Sequence, residues 1–339
     1  MGLKGREGDY IEDSNGVIFD VKGLVHPQDR IVAFPRFIPS PQGNRIRRGT
    51  IYRKIYALFE RYKFLEEQFP QYLVYDPVFG ERLCEVPKKD VLYHYNPINR
   101  LQKLCNNRQI DQLETDASQF AKLLQNHSDV PWNKLGISGS LLAQLHTPES
   151  DIDLIVYGER SCRKIYETLK SLTRNGKSAV KAYTQEGLRI LYSFRSRDTE
   201  MSFEDFLATE RRKVLQGKFL QSDFYIRCIK DWSEVEEHYG DAVYRRVSYA
   251  KIKAVVSDDS EAIFTPCRYY VENVQVLEGK CEGAATEIVS FRGRFCEQAR
   301  KGETVVAQGK VEEAKRKNGD TFFRLLLGGK PSDSMVLSG

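Results

Sequence analysis

The chain has 339 residues, 41% of them apolar and 29% charged, and a net charge of +5. This is the composition of an ordinary soluble globular protein long enough for two or three domains. No apolar run approaches the ~18 residues of a membrane span, and MGLKGREGDY lacks the apolar core of a secretory signal, so a cytoplasmic protein is expected. The seven cysteines form no CxxC pair and the five histidines show no ligand spacing with them, which gives no basis for a zinc site and suits a reducing compartment.

In chain order, residues 9–39 read as two or three strands, with turns at Asn15-Gly16 and at His26-Pro27-Gln28-Asp29. Residues 50–68 read as a helix, because Ile51, Ile55, Leu58, Phe59, Tyr62 and Leu65 recur at helical spacing. A connection rich in Pro and Tyr spans 70–97, and a second helix is expected over about 98–126. The middle alternates. KLGIS reads as a short strand, SLLAQLH as a short helix, DIDLIVYG as a strand and SCRKIYETLKSLTR as a helix. GLRILYSF then reads as a strand, SFEDFLATERRKVLQ as a helix opening on an S-x-x-D cap, and KFLQSDFYIRCIK as a strand. From about residue 246 five strand candidates follow, with Asn318-Gly319 as a hairpin signal, and these suggest a small barrel, OB-like or of another type, or a sandwich. The predicted organisation is α+β: residues 1–97 a small N-terminal region, 98–245 a central domain, and 246–339 a β-rich domain.

Positive charge is concentrated. Residues 160–213 hold 13 Lys/Arg against 7 Asp/Glu, a net +6, which leaves the rest of the chain slightly negative. That placement suits a polyanionic partner such as a triphosphate or RNA, with Arg160, Arg163, Lys164, Arg189, Arg195 and Arg197 as candidate contacts.

The chemistry is densest in GISGSLLAQLHTPESDIDLIVYG, residues 136–158. In a strand, residues i and i+2 share a face, so Asp151 and Asp153 converge while Ile152 and Leu154 face the other way. Two carboxylates this close repel, and a hard divalent cation such as Mg²⁺ removes the conflict. Gly139-Ser140 ends one strand and opens a short helix, where backbone N–H groups and the Ser140 hydroxyl suit phosphate oxygens. A phosphate cradle beside a metal-binding carboxylate pair is the apparatus of phosphoryl or nucleotidyl transfer. His146, in the intervening loop, is read as a surface or structural histidine.

Over about residues 135–230 the sequence resembles the DNA polymerase β-like nucleotidyltransferase superfamily. Its pattern is Gly-Ser, a short spacer, then a D-x-D or D-x-E pair on a strand; here ten residues, Leu141–Ser150, separate Ser140 from Asp151. The resemblance implies a central domain of that fold and a third carboxylate on a later strand. Asp223 is favoured for it over Asp205, on a predicted helix, and over Asp231, which follows the strand. It further implies two Mg²⁺ ions held by Asp151, Asp153 and Asp223, and a nucleoside triphosphate such as ATP contacted at Gly139 and Ser140. The expected reaction moves a nucleoside monophosphate to an acceptor hydroxyl with release of pyrophosphate. The acceptor stays open among an RNA end, a protein side chain and a small molecule. The alternative is a non-catalytic nucleotide- or RNA-binding protein that keeps the fold. Other motifs fail: RNGKS has Ser171 where a P-loop needs its first glycine, and an EF-hand from Asp151 would need glycine at Val156 and glutamate at Cys162.

Overall fold

A computed structural model describes residues 3–107, 109–281 and 283–338. The chain is α+β and gathers into two compact units. The first comprises Met1–Val74, Leu83–Ala182 and Val214–Glu236, so most of the expected N-terminal region and most of the expected central domain belong to one body. The second comprises Tyr75–Arg82, Tyr183–Lys213 and Glu237–Gly339, which adds segment 183–213 to the β-rich end. Among the described residues, no helix is long and apolar enough to cross a membrane.

In the first unit an antiparallel sheet runs, edge to edge, through Arg45–Arg47, Thr50–Lys54, Arg30–Pro39, Ile18–Val21, Tyr10–Asp13 and Val91–Tyr95. The Asn15-Gly16 turn is present, with Gly16 at φ +75° and Asn15 N–H donating to Asp13 at 3.0 Å. The predicted helix over 50–68 is half right. Leu58–Gln68 is helical, but Thr50–Lys54 is a strand paired with both Arg45–Arg47 and Arg30–Pro39. Arg48 and Gly49 at φ +50° and +81° close a two-residue hairpin, and strand pairing on both sides of Thr50–Lys54 overrides the helical spacing of Ile51 and Ile55.

The long helix expected over 98–126 is two helices. Asn96 caps Pro97–Asn106, and an Asp111/Glu114 capping box starts Gln112–Ser128. The region 70–97 carries the strands Leu73–Asp76, Glu81–Pro87 and Val91–Tyr95 rather than a plain connection. The central sheet has the order Val180–Lys181, Gln216–Phe219, Ser222–Ile229, Ile152–Tyr157, Leu135–Ile137. Ile152–Tyr157 runs parallel to Ser222–Ile229 and antiparallel to Leu135–Ile137. KFLQSDFYIRCIK is therefore a hairpin of two strands turned at Leu220, φ +53°. Leu142, Ala143 and Leu145 pack with Tyr10, Ile18, Phe37 and Tyr52 in one core, which seats the helix Gly139–Ala143 on the N-terminal sheet.

In the second unit GLRILYSF is a helix, Gln185–Arg195, because Thr184 accepts the Gly187 N–H at 3.1 Å and caps it. Ser202 caps Phe203–Glu210 as expected. The strands Ala242–Asp258, Cys267–Gly279, Ala285–Ser290, Thr321–Leu327 and Thr304–Arg316 pair in that spatial order, and the last pairs back on the first, so the sheet closes. Ile252, Val256, Tyr269, Ile288, Val311 and Leu325 fill its interior.

Candidate active site

Gly139 and Asp153 meet directly. Gly139 sits at φ +62°, and a Cβ there would lie 1.9 Å from Asp153 Oδ2 and 2.8 Å from its Cγ. Only glycine accepts both the left-handed backbone and this approach. Ser138 N–H donates to Asp153 O at 2.8 Å, and the pairs Leu154↔Ile137 and Ile155↔Gly136 continue the ladder. The Gly-Ser turn and the D-x-D strand are thus one hydrogen-bonded piece of structure. Ser138 Oγ also donates to Gly8 O at 2.7 Å, which ties the N-terminal segment to the same corner.

Asp151 is exposed and Asp153 half-buried. Burial and the neighbouring Asp151 push the Asp153 carboxyl up to about 7, against the pull of Lys54, Arg227 and Arg36. Those cations were not legible as site residues. Arg36 lies on Arg30–Pro39, Lys54 on Thr50–Lys54, and Arg227 faces the aspartates from the strand beside them. Burial and then Arg36 push the Lys54 ammonium below its ordinary range, while Asp151, Tyr56 and Asp153 pull it back. Burial works against Arg36 too, but Tyr10, Asp20, Tyr56 and Asp153 hold it above its ordinary value.

Arg227 is neutralised elsewhere: Glu7, wholly buried, takes its guanidinium at 2.5 Å. The other four charges are not. Among the described residues, Asp151, Asp153, Arg36 and Lys54 have no ion-pair partner within 4.0 Å. Two carboxylates and two cations feel one another without collapsing into pairs. Ser140 is fully buried, and its hydroxyl has no hydrogen-bond partner. The helix that it opens is five residues long, too short for its dipole to supply much positive potential, so charge for an anion has to come from side chains.

Asp223 precedes Phe224, the partner of Ile152, just as Asp151 precedes Ile152; Tyr225 opposes Asp153. Asp223 therefore shares the face of Asp153, exposed at the strand end, and pairs there with Lys218 at 3.0 Å. Its rivals have structural roles. Asp205 accepts from Ser202 Oγ at 2.8 Å within a helix cap of the second unit. Asp231 closes a capping box and pairs with Lys134 and Arg6. His146 contacts Asp111 at 2.6 Å; with Glu114 they place possible metal-ligand atoms within 4.8 Å of one another. The capping box and the Arg100–Glu114 ion pair account for that cluster. Of the basic candidates, Arg163 pairs with Glu159 on an exposed helical face, and Arg189, Arg195 and Arg197 belong to the second unit.

Compared with known proteins, the chain is 32% identical over 335 residues to Uncharacterized protein MJ1086 of Methanocaldococcus jannaschii, covering 96% of each chain. The chain belongs to the family of that archaeal protein. No family model and no solved structure matches it.

Proposed function

We propose that the protein is a Mg²⁺-dependent nucleotidyltransferase whose first unit contains a polymerase β-like domain. The observation that carries this reading is the unpaired carboxylate couple, Asp151 and Asp153, of which Asp153 is packed against Gly139, faced by unpaired cations. Two hard oxygen donors that repel one another, and so raise the proton affinity of Asp153, fit a divalent cation. Asp151 and Asp153 would hold Mg²⁺, with Asp223 as the third carboxylate. Bound there, the metal would neutralise charge on the reacting phosphate. The mixed sheet supports the domain assignment, since the D-x-D strand lies between a parallel partner carrying Asp223 and the antiparallel strand leading into Gly139.

In the reaction, the acceptor hydroxyl oxygen bonds to the α-phosphorus of a nucleoside triphosphate. The bond from that phosphorus to the bridging oxygen breaks, and pyrophosphate leaves. The hydroxyl proton passes to a carboxylate, for which Asp223 at the exposed strand end is suited. In the second unit, the closed strand order, with Ala285–Ser290 and Thr321–Leu327 parallel, supports an OB-like barrel. An RNA end is the acceptor that such a barrel would suit.

The test is incubation with each labelled triphosphate, Mg²⁺ and total RNA. The expected result is pyrophosphate release and label on one acceptor class, abolished in Asp151→Asn and Asp153→Asn. Triphosphate binding that ignores Mg²⁺, with no pyrophosphate from any nucleotide, would instead support a non-catalytic nucleotide-binding protein.

A further inference from the structure

Half-buried cations are costly to hold without an anion. Several cations that penetrate the first unit have one: Arg47 pairs with Glu12 at 2.9 Å, Lys22 with Asp20 at 2.7 Å, and Arg227 with Glu7, while the buried Arg45 spends its guanidinium on Leu145 O and Ser150 Oγ. Arg36 and Lys54 differ. Among the described residues, the Arg36 side chain makes one hydrogen bond, from Nη1 to Ile55 O at 3.2 Å, and its Nε is buried without a partner. Both cationic heads are positioned rather than loose. Arg36 Cζ and Lys54 Nζ lie 4.9 Å and 4.7 Å from the centroid of the Tyr56 ring. Their strands are locked together, with Phe37 opposite Lys54 and Ile55 N–H donating to Arg36 O at 2.9 Å.

The sheet that carries them is fixed to the corner that carries Gly139. Phe37, between the two cations in the pairing, shares a core with Leu142 and Ala143. Arg45 donates to Leu145 O, and Arg47 donates to Ala143 O at 3.4 Å. The cations therefore stand at a set place beside the aspartates, close enough for mutual electrostatic influence and outside ion-pair distance.

We infer that Arg36 and Lys54 are a polyphosphate clamp, in which the N-terminal sheet supplies the wall that binds the β- and γ-phosphates of the triphosphate. This deepens the nucleotidyl-transfer reading and rests on it for the identity of the nucleotide. The guanidinium suits two phosphate oxygens at once and the ammonium acts as a point charge. A polyanion lying between them and a metal held by the aspartates would satisfy all four unpaired charges. The N-terminal sheet is then half of the site and cannot be removed from the central domain without loss of substrate binding.

The test uses inorganic tripolyphosphate and the full-length protein, titrated by calorimetry in EDTA and again in Mg²⁺. Wild type should bind in both buffers. Lys54→Gln and Arg36→Gln should each weaken binding at least tenfold, Lys54→Arg should retain most of it, and Lys63→Gln on an exposed helical turn should change nothing. Thermal melting checks the fold of each variant, and Arg36→Lys replaces Arg36→Gln if the latter does not fold. In pyrophosphate-release assays, the Lys54→Gln effect should fall on the Michaelis constant for the triphosphate more than on turnover. Tripolyphosphate binding that is absent from wild type, or equal in wild type and both variants, would overturn the clamp. If pyrophosphate release is also unchanged in both variants, the clamp falls and nucleotidyl transfer stands. Binding that depends on both cations, with no release from any triphosphate, keeps the clamp and removes the transfer reading.

Discussion

The Asp153 corner of the first unit and the core of the second treat buried charge in opposite ways. In the second, Glu312 takes Arg324 and Lys310, each at 2.8 Å, and the Arg324 guanidinium lies 3.7 Å from the centre of the Tyr244 ring. Burial would raise the Glu312 carboxyl, but Arg324 and Lys310 outweigh it and hold it below the usual range. Glu210 is similarly shared by Arg195 and Lys213, each at 2.6 Å. Around Asp153 in the first unit the carboxyl is pushed upward, and the nearby cations Arg36 and Lys54 stop short of it. This chain can pair a buried charge when the charge serves the fold, as Glu7 and Arg227 show within the first unit itself. Charges left near one another without pairing are therefore the better sign of an intended ligand.

The largest expected difference is in activity. Asp153→Asn should lower pyrophosphate release by about a thousandfold or more, roughly 4 kcal/mol of barrier. Its melting temperature in EDTA at neutral pH should be unchanged or higher, because the change removes repulsion with Asp151. Marked destabilisation with proportionate loss of activity would make Asp153 a structural carboxylate like Glu312. The converse experiment is Glu312→Gln. It leaves Arg324 and Lys310 with a neutral partner in a buried place, and should cost about 3–5 kcal/mol in urea unfolding of the full chain. A cost below about 1 kcal/mol would erase the contrast between the units.

The carboxylate pair was legible because an i, i+2 spacing in a strand states a shared face without any tertiary information. Gly139 was legible for a similar local reason, and the structure adds what it touches. Asp205 and Asp231 resolve as helix caps, a role that local patterns such as S-x-x-D also encode. The cationic wall was not legible. Arg36 and Lys54 reach the aspartates only through sheet pairing and through the packing of Phe37 on Leu142 and Ala143. Lys54 was further hidden because Ile51, Ile55 and Leu58 fit helical spacing as well as Thr50–Lys54 fits a strand, and the Arg48-Gly49 turn that decides between them carries a weak signal. The barrel was legible as strands with turns between them. Its closure depends on long-range pairing of Ala242–Asp258 with Thr304–Arg316, which no local pattern states.

A smaller effect tests how the first unit handles a buried titratable group that has no ionic partner. His26 Nδ1 accepts the Val32 N–H at 3.2 Å and Nε2 contacts Gly5 O at 3.0 Å, an arrangement that needs the neutral ring with its proton on Nε2. Burial, helped by Lys88 and opposed by the Gly5 carbonyl, lowers its pKa to about 4. Between the ordinary value near 6.5 and about 4, the unfolded chain binds the proton and the folded chain does not. Stability from this group is therefore full above about pH 6.5 and falls as the pH drops toward 4. His26→Gln should flatten that acid branch by about 1–2 kcal/mol between pH 7 and pH 5. An acid branch identical in the two proteins would show that His26 titrates as in water.

The smallest expected effect belongs to Ser140, and its sign is the informative part. A buried hydroxyl with no partner costs about 1–3 kcal/mol relative to one that is bonded, whereas removing it altogether removes the unmet demand. Ser140→Ala should therefore leave the ligand-free protein within about 1 kcal/mol of wild type, on the stabilising side. A phosphate oxygen brought to the Gly139-Ser140 turn would give the hydroxyl its partner, so the same change should weaken triphosphate use by about tenfold, roughly 1.4 kcal/mol. Melting in EDTA and the Michaelis constant for the triphosphate measure the two effects separately. A loss of more than about 2 kcal/mol in the ligand-free protein would mean that the hydroxyl already serves the fold. An unchanged Michaelis constant would take Ser140 out of the site and leave the phosphates to Arg36, Lys54 and the backbone.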